Sequence, residues 1–564
     1  MRKFVLFICL INTLWTYSNV FGSVTFSEIM MDPEPPVGLP VAEYIELYNG
    51  SPDNCSFKGW TFYYGEKAYA FPEGTIESES YGIICSKTAS ALFFSNIPIL
   101  AFASFPVLGN TGKQIYILNE RNELVCFLEY SPEWHSDDFR KNGGWSLECL
   151  DVENLSGDAS NWTSSKDLNG GTPGYRNSVA SVNPDEIPPY LTGVFIPSPL
   201  QIEMTFSKSL HNDPSSTSQH FKMAPQDFDH LSVTTDYPAN RSVTLHLNEA
   251  METGTIYDLS ISGLTDVSGL TIQDTVVSFG LPETPVPFDL SLNEVLFNPL
   301  PGGVDYVEFV NISNHCVDLS QVWLTLKMPD GSLKEGVRLS EKSLPCLPGS
   351  YWLLSVCKDS VLAMNGIEAV PHALDLSDLP SMPDDCGQVL LVTNSAQIID
   401  EMAYLEKMHF PLISQRDGVS LEKKNPMFSS LDPESWSSAS TTSNYGTPGR
   451  INSQFREINA AGSDGFQVEK SWMTPNNDGL DDVVEIVYRV AESTMANLSI
   501  YDLNGRIVRT LVGNELLSTS GSIFWDGTSN DRSMVPFGRY ILYIEHFTIS
   551  GHVFKKRFVL TVLF

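Results

Sequence analysis

The pattern of apolar and polar positions along the chain predicts strands rather than helices. In residues 44–48, Ile45 and Leu47 alternate with polar or aromatic neighbours, which is the period of a half-buried strand. Residues 114–118 and 388–392 are further β-rich segments, and no window shows a long amphipathic helix. Turn residues recur at roughly 8 to 12 positions, a spacing typical of a β-sandwich.

Five motifs recur in the same order in two stretches of the chain, which indicates an internal duplication. The matched pairs are residues 27–33 with 293–299, 43–49 with 305–311, 144–148 with 418–422, 161–162 with 435–436, and 171–174 with 446–449. The last pair reads Gly-Thr-Pro-Gly in both stretches. We therefore expect two copies of one domain, separated by different material.

This ordered set of motifs resembles the bacterial lamin-tail domain, an immunoglobulin-like β-sandwich related in fold to the tail of nuclear lamins. The resemblance covers residues 24–180 and 288–454, and we expect domains at residues 23–180 and 286–454. It implies an accessory or adhesive module of exported bacterial proteins, sometimes attached to nucleases or other enzymes. It implies no catalytic residues for this chain.

The segment between the two copies resembles a bacterial immunoglobulin-like domain of the surface-layer type. The resemblance rests on a strand that ends in Phe206-Ser207-Lys208 and on a Gly-Leu-Thr-Asp turn at residues 263–269, and it predicts a domain at residues 185–283. Proline-rich linkers at residues 184–189 and 282–287 flank this domain.

Residues 466–564 resemble the immunoglobulin-like C-terminal domains of the flagellar hook-capping type. Close relatives of those domains end many Bacteroidota surface proteins and are tied to gliding motility and type IX secretion, which implies a sorting or attachment role. Residues 475–482 depart from the usual motif at two positions. The expected fold class is therefore all-β, with four tandem β-sandwich, immunoglobulin-like domains.

The N-terminus has the layout of a cleaved secretory signal. Met1-Arg2-Lys3 precedes an apolar run, and Val20-Phe21-Gly22 supplies small residues before a cleavage point after Gly22. We expect residues 1–22 to be a signal peptide and the mature chain to contain no transmembrane segment. The expected location is extracellular or on the outer cell surface.

The net charge of the chain restricts the kinds of molecule that it can bind. The chain has 34 Lys and Arg against 68 Asp and Glu, a formal net charge of −34. Nucleic-acid binding depends on basic residues that neutralise phosphates, so the composition excludes a nucleic-acid partner. The partner is otherwise open, with a surface glycan or another protein as the candidates.

Eight cysteines remain once Cys9 is removed with the signal peptide. An even number in each half of an exported chain predicts disulfides, with the pairing left open. Free buried thiols are the alternative for any one of them. The candidates are Cys55, Cys85, Cys126 and Cys149 in the first copy, and Cys316, Cys346, Cys357 and Cys386 in the second.

A calcium site is the one metal site that the sequence suggests. Oxygen-bearing side chains crowd one turn at Asn476, Asp478, Asp481 and Asp482, and calcium prefers such oxygen ligands. An Asx-rich turn without a metal is the alternative. No other cofactor is expected.

No catalytic motif is present, so no catalytic residue is assigned. His135 and His409 stand at matching places in the two copies and are interpreted as hydrogen-bonded structural residues. Glu46 and Glu308 also match, and we interpret them as structural acceptors of backbone N–H groups.

The function predicted from these features is that of a non-enzymatic exported or cell-surface protein that adheres, spaces or scaffolds. The alternatives are a carbohydrate-binding surface protein, for which Tyr63, Tyr64 and Tyr69 are candidate contacts, and an accessory subunit of a secreted hydrolase.

Overall fold

The structure is a computed structural model that describes most of the chain. It covers residues 22–94, 96–211, 217–225, 232–410, 413, 415–456, 465–475, 481–490, 494–548 and 551–563. Apart from Gly22, the predicted signal peptide lies outside these residues. None of the helices in the described ranges is both long and apolar enough to cross a membrane.

The described residues fall into two compact units. The first is drawn from Met1–Val194, Leu200–Glu249 and Asp258–Val277. The second is drawn from Phe195–Pro199, Ala250–Tyr257 and Ser278–Phe564.

The first sandwich packs a six-stranded sheet, in the order β12-β11-β1-β2-β7-β8, against a four-stranded sheet, in the order β10-β9-β4-β5. Strands β3 and β6 form a separate pair, and the short helix α1 spans Asp138–Lys141. The strands are β1 Val24–Met30, β2 Tyr44–Asn49, β3 Cys55–Ser56, β4 Thr61–Tyr64, β5 Lys67–Ala70, β6 Thr75–Ile76, β7 Ser80–Ser86, β8 Ile99–Phe102, β9 Lys113–Leu118, β10 Leu124–Tyr130, β11 Leu147–Cys149 and β12 Trp162–Ser164.

The predicted alternation explains the core of this sandwich. Ile45 and Leu47 of β2 are fully buried and belong to the same core as Phe62 and Ile117 of the other sheet. Residues 114–118 lie in β9, so that predicted strand is confirmed.

The middle segment of the chain is also made of strands. Antiparallel pairs join β14 to β17, β16 to β17, and β15 to β18. The strands are β13 Leu191–Ser198, β14 Gln201–Phe206, β15 Phe221–Ala224, β16 Ser232–Thr235, β17 Ser242–His246, β18 Ile256–Ile261 and β19 Thr275–Gly280.

The second sandwich has a six-stranded sheet in the order β27-β26-β21-β20-β30-β31 and a four-stranded sheet in the order β24-β23-β28-β29. Strands β22 and β25 pair separately, and helix α2 spans Lys358–Met364. The strands are β20 Leu290–Leu296, β21 Tyr306–Asn311, β22 Val317–Asp318, β23 Val322–Leu326, β24 Val337–Arg338, β25 Pro345–Cys346, β26 Tyr351–Ser355, β27 Ala373–Asp375, β28 Cys386–Thr393, β29 Ile398–Leu405, β30 Leu421–Lys423 and β31 Trp436–Ser438.

The last segment of the chain forms a three-stranded sheet, β32-β34-β37, and a five-stranded sheet, β33-β39-β38-β35-β36. Its strands are β32 Gly465–Val468, β33 Trp472–Met473, β34 Val484–Arg489, β35 Thr494–Tyr501, β36 Ile507–Leu517, β37 Ser520–Trp525, β38 Gly538–Thr548 and β39 Val553–Val562. The prediction of an all-β chain of separate immunoglobulin-like sandwiches is thus confirmed.

Buried contacts join neighbouring domains within the second unit. Phe410, Ile413 and Val419 of the second sandwich share an apolar cluster with Met495 and Leu516 of the last segment. Two hydrogen bonds reinforce this contact, from the Thr519 N–H to the Ser453 carbonyl at 2.9 Å and from the Gln454 side chain to the Leu517 carbonyl at 3.1 Å.

A buried cation joins the first sandwich to the middle segment within the first unit. The Lys208 ammonium donates to the carboxylate of Asp185 and to the carbonyl of Ile187, both in the proline-rich linker. It also lies 3.7 Å from the Asp158 carboxylate. Lys208 and Asp185 side chains are only 3% and 7% exposed, so the linker is fixed by an ion pair shielded from water.

Lys208→Ala should destabilise this junction. Removing one partner of a buried ion pair leaves the other charge uncompensated, which costs about 3 kcal/mol or more. We expect a lower free energy of unfolding in denaturant titration and faster proteolytic cleavage within residues 184–189. The control is Lys222→Ala, which removes an exposed lysine of the middle segment. Equal behaviour of the two variants would contradict a junction held by Lys208.

Candidate functional site

Three glutamates meet inside the first sandwich, on adjacent strands of its six-stranded sheet. Glu28 of β1 stands opposite Glu148 of β11 on one side and opposite Glu46 of β2 on the other. All three side chains are completely buried. Directly opposed residues on neighbouring strands share a face, so the register brings the three carboxylates together.

Hydroxyl groups and the chain segment after the last strand satisfy these carboxylates. The Tyr44 and Ser146 hydroxyls each donate to Glu28 at 2.6 Å, and the Thr172 N–H donates at 2.9 Å. The Gly174 N–H donates to Glu46.

Thr172 also links Glu28 to Glu148, because its hydroxyl lies 3.1 Å from the Glu148 carboxylate. The Ser178 hydroxyl donates to the other Glu148 oxygen at 2.7 Å. The closing Gly-Thr-Pro-Gly segment is therefore held onto the sheet by three buried carboxylates.

The second sandwich repeats this arrangement with Glu294, Glu308 and Glu422, which are also fully buried. The Tyr306 hydroxyl donates to Glu294 at 2.6 Å, as Tyr44 does to Glu28. The Gly449 N–H donates to Glu308, and the Thr447 hydroxyl donates to Glu422 at 2.9 Å. We call the two sets the glutamate triads.

The electrostatics of the triads favour bound protons. Burial, assisted by the charge of Glu148, raises the pKa of Glu28 to about 7. Burial and the neighbouring Glu294 raise the pKa of Glu422 to about 8. The pKa values of Glu46 and Glu308 are raised well above the ordinary value for the same reason, loss of water first and like charge second.

This geometry does not suit general acid–base catalysis. A catalytic carboxyl must reach a bond of the substrate, whereas these groups are sealed in the core and bonded to the chain itself. The interpretation of Glu46 and Glu308 as acceptors of backbone N–H groups is confirmed.

Sequence reasoning missed the other members of the triads, although all of them lie in the repeated motifs. Glu28 and Glu294 sit in strands in which every residue is buried. The signal available in the sequence was a glutamate within an otherwise largely apolar strand. Such a glutamate is buried with its strand, and a buried carboxylate needs hydrogen-bond donors from other parts of the fold.

The two predicted structural histidines are confirmed. His135 and His409 place their Nδ1 atoms 2.8 Å and 3.0 Å from the hydroxyls of Ser164 and Ser438. Burial lowers the pKa of each histidine to about 4, so both rings are neutral near pH 7.

The prediction of disulfides is wrong for this structure. Its free thiols are Cys55, Cys85, Cys126, Cys149, Cys316, Cys346, Cys357 and Cys386. Cys85 packs in a different apolar cluster from Cys126 and Cys149, which separates possible partners. Burial also raises the pKa of Cys126 well above its ordinary value and that of Cys346 to about 12. These two thiols are therefore protonated near neutral pH in the folded chain.

The predicted calcium ligands are only partly described. Asn476 and Asp478 lie outside the described residues. Asp481 forms an ion pair with Lys470, and its carbonyl accepts the Thr474 N–H at 2.8 Å. No cluster of three or more histidine, cysteine, aspartate or glutamate side chains suited to a metal occurs within the described residues. Calcium binding through these residues and Asp482 stays a prediction.

The three candidate tyrosines for glycan contact take part in packing. Tyr69 is buried in the core, and the Tyr64 hydroxyl accepts the Gly109 N–H at 2.6 Å. The Tyr63 ring stacks on Tyr116 with centroids 4.4 Å apart. All three side chains therefore make contacts within the first sandwich itself.

Glu422→Gln should flatten the dependence of stability on pH. The pKa of Glu422 is higher in the folded chain than in the unfolded chain, where it is 4.5. The contribution of its bound proton to the free energy of unfolding is therefore complete below pH 4.5 and is lost as the pH rises towards about 8. One such proton gives a slope of about 1.4 kcal/mol per pH unit. The glutamine can still accept from Ser453 and Gln454 and can donate to Thr447.

Chemical unfolding of the full chain at several pH values measures this effect. We expect the variant to match the wild type near pH 4.5 and to be more stable near pH 8. Glu434→Gln, which changes an exposed glutamate, is the control and should leave the slope unchanged. An unchanged slope in Glu422→Gln would show that Glu422 carries no extra proton in the folded chain.

Comparison with known proteins adds a family match at the N-terminus. Residues 18–132 match the family model described as Lamin Tail Domain. No curated protein matches the chain.

Among solved structures, the N-terminal part of the bacterial S-layer protein SbsC is similar at 14% identity and a TM-score of 0.17, over 39% of this chain and 44% of that one. PorZ, a surface component of the type-IX secretion system of Porphyromonas gingivalis, is similar at 10% identity and a TM-score of 0.17, over 89% and 74%. SGBP-B of Bacteroides ovatus gives 9% identity and a TM-score of 0.17, over 85% and 86%. Likenesses at this level do not assign a function to this chain.

Proposed function

We propose that this protein is a non-enzymatic, exported surface protein whose β-sandwiches act as adhesive, spacer or scaffold. The observation that carries the proposal is the way in which neighbouring domains are joined. In each unit the junction is made of buried contacts, around Lys208 in one and around Phe410 and Leu516 in the other. Such junctions resist bending, which a spacer between surfaces requires.

We further propose four domains in the mature chain, at residues 23–180, 185–283, 286–454 and 466–564. The glutamate triads support the assignment of residues 286–454 as a second lamin-tail sandwich, because both sandwiches fix their closing segment with the same groups. The six glutamates are completely buried and bonded to hydroxyl and backbone N–H groups of the chain, so they have no access to a substrate, which supports a non-enzymatic role.

The C-terminal domain is proposed to direct sorting or attachment at the outer cell surface. The support is the resemblance of residues 466–564 to C-terminal domains of exported proteins. Its contact with the second sandwich matters for any test, since removing it uncovers Phe410 and Val419, which are now 3% exposed.

Export of the protein should leave a mature chain that begins at Ser23 and is accessible from outside the cell. The small residues before this point and the apolar run that precedes them favour removal of residues 1–22. Mass spectrometry of the purified chain tests the cleavage, and a membrane-impermeant amine reagent applied to intact cells tests the exposure. Labelling that requires cell lysis would contradict surface display.

Deletion of residues 466–564 should abolish surface display if this domain is a sorting signal. The deleted chain should also carry Phe410→Ser and Tyr445→Gly, so that the uncovered surface is less apolar. Ser136 follows His135 as Phe410 follows His409, and Gly170 precedes its Gly-Thr-Pro-Gly segment as Tyr445 does. The first sandwich therefore already carries these residues at the matching positions.

The matched control is the full-length chain with the same two substitutions, which should still reach the surface. Cell fractionation and surface labelling measure both chains. Normal display of the deleted chain would defeat the sorting role while leaving the spacer role open.

A further inference from the structure

One edge of the five-stranded sheet in the last segment has no neighbouring strand along most of its length. The edge strand is β39, which pairs with β38 over its whole length, from Val553 to Val562. On its other side it pairs only with the short strand β33, through Thr561 and Val562. Within the described residues, Val553–Leu560 therefore have no strand beside them on that side. We call this stretch the open edge.

The alternation of the ladder shows which backbone groups face the open side. The Thr561 and Leu563 N–H groups donate to the carbonyls of Ser471 and Met473, both at 2.8 Å, so they point away from β38. The register between β38 and β39 contains no bulge. In an antiparallel pair every second residue points the same way, so alternate residues before Thr561 also direct their N–H and carbonyl groups outward. These outward residues are Val553, Lys555, Arg557 and Val559.

The outward backbone groups are free to pair. In the part of the chain that the structure describes, no acceptor bonds to the N–H groups of these four residues. The opposite edge of the same sheet is different, because a loop covers part of β36. There the Asn530 N–H donates to the Val508 carbonyl at 2.9 Å, and its side chain accepts the Thr510 N–H at 3.0 Å. An uncovered edge is a template for another strand.

The long basic side chains on this edge are directed back over their own sheet. The Lys555 ammonium lies 2.9 Å from the carboxylate of Glu545, which stands directly opposite on β38. The Arg557 guanidinium lies 5.6 Å from the centre of the Tyr543 ring, also directly opposite. Both side chains therefore lean towards β38 and leave the backbone of the open edge uncovered.

The open edge carries positive charge in a strongly acidic chain. Lys555, Lys556 and Arg557 are consecutive and exposed, although the net charge of the whole chain is −34. Val553 and Val559 flank them and are 55% and 57% exposed. The outward residues therefore present the order apolar, basic, basic, apolar along one face.

We propose that the open edge binds an extended acidic segment of a partner protein, which is added to the sheet in line with β33. Two acidic side chains of the segment, two residues apart, lie beside Lys555 and Arg557, and apolar side chains lie beside Val553 and Val559. Backbone hydrogen bonds give such strand addition its affinity, and alternate side chains give it specificity. The pattern is the same in both directions, so it fits a parallel or an antiparallel strand.

Like charges disfavour a second copy of β39 as the occupant. Two such strands paired antiparallel about Lys556 place Lys555 opposite Arg557 twice, and like charges directly opposed destabilise a sheet. An acidic strand instead gives each of these cations an opposite charge across the new pair.

Strand addition at the open edge goes beyond the proposed function, because it does not depend on whether the last domain directs sorting. Binding to the purified chain can fail while surface display is upheld, and display can fail while binding is upheld.

The test uses the full mature chain and a fluorescein-labelled peptide with blocked ends, Val-Thr-Glu-Thr-Glu-Thr-Val. Fluorescence anisotropy measures binding, and the same peptide with lysine in place of both glutamates is the control. We expect the acidic peptide to bind and the lysine peptide to bind about tenfold more weakly or less, because opposed charges stabilise a pair of strands and like charges destabilise it.

Hydrogen exchange at single-residue resolution locates the bound peptide. The amides of Val553, Lys555, Arg557 and Val559 should exchange rapidly in the free chain and slowly in the complex, because the peptide supplies their acceptors. Binding that leaves these four amides in rapid exchange would contradict strand addition.

Two substitutions test the backbone and the charge separately. Val559→Pro removes an outward N–H without removing a bond to β38, and Arg557→Glu reverses one charge. Each should weaken binding of the acidic peptide by about tenfold. Val559→Thr, which keeps the N–H, and Arg539→Glu, which reverses an exposed charge on β38, are the controls and should bind as the wild type does. Circular dichroism of each variant checks folding.

Three further results would overturn the proposal. The first is no binding of the acidic peptide, which would leave the basic residues only the role of protecting an edge. The second is equal binding of the acidic and lysine peptides. The third is self-association of the wild-type chain in sedimentation velocity that Val559→Pro abolishes, because a second copy would then be the occupant.

Discussion

The structure of both sandwiches with a six-stranded sheet depends on glutamates that are buried among hydroxyl and amide donors. Glu28 and Glu294 each accept bonds from a tyrosine hydroxyl, a serine hydroxyl and the threonine of the closing segment. A buried carboxylate is costly unless such donors surround it. The hydrogen bonds from this threonine therefore also hold the closing segment on the sheet. Movement of the segment would leave the buried glutamate without these donors.

The arrangement suits a strongly acidic chain. A net charge of −34 leaves few cations for burial, and hydroxyl and amide donors take their place in the triads. Where a cation is buried, it has a particular task. Lys208 holds a linker. Lys423 donates to Ser291 of β20 and to Ser430, whose hydroxyl in turn donates to Asp400 of β29. In each case a charge shielded from water fixes the position of neighbouring chain segments.

The local pattern was a good guide to strands and a poor guide to cysteine chemistry. The alternation around Ile45 and the repeated motifs were enough to predict sandwiches, because side chains alternate faces with period 2 in any strand. Disulfides depend on the distance and direction between two distant residues, and spacing along the chain carries neither. Of the glutamate triads, the sequence singled out only Glu46 and Glu308. Glu28, Glu46 and Glu148 come together because their strands are neighbours in the sheet, and the spacing of residues along the chain does not reveal the order of the strands.

The sequence by itself determined the all-β class and the structural roles of Glu46 and His135, since the class follows from periodicity and both residues recur at matching places along the chain. Tertiary structure decided which residues meet. Phe410 follows His409 as Ser136 follows His135, but Phe410 is buried against Met495 and Leu516 of the last segment, which its place along the chain does not reveal. Position in a strand or loop is a local property, whereas burial depends on residues far away along the chain.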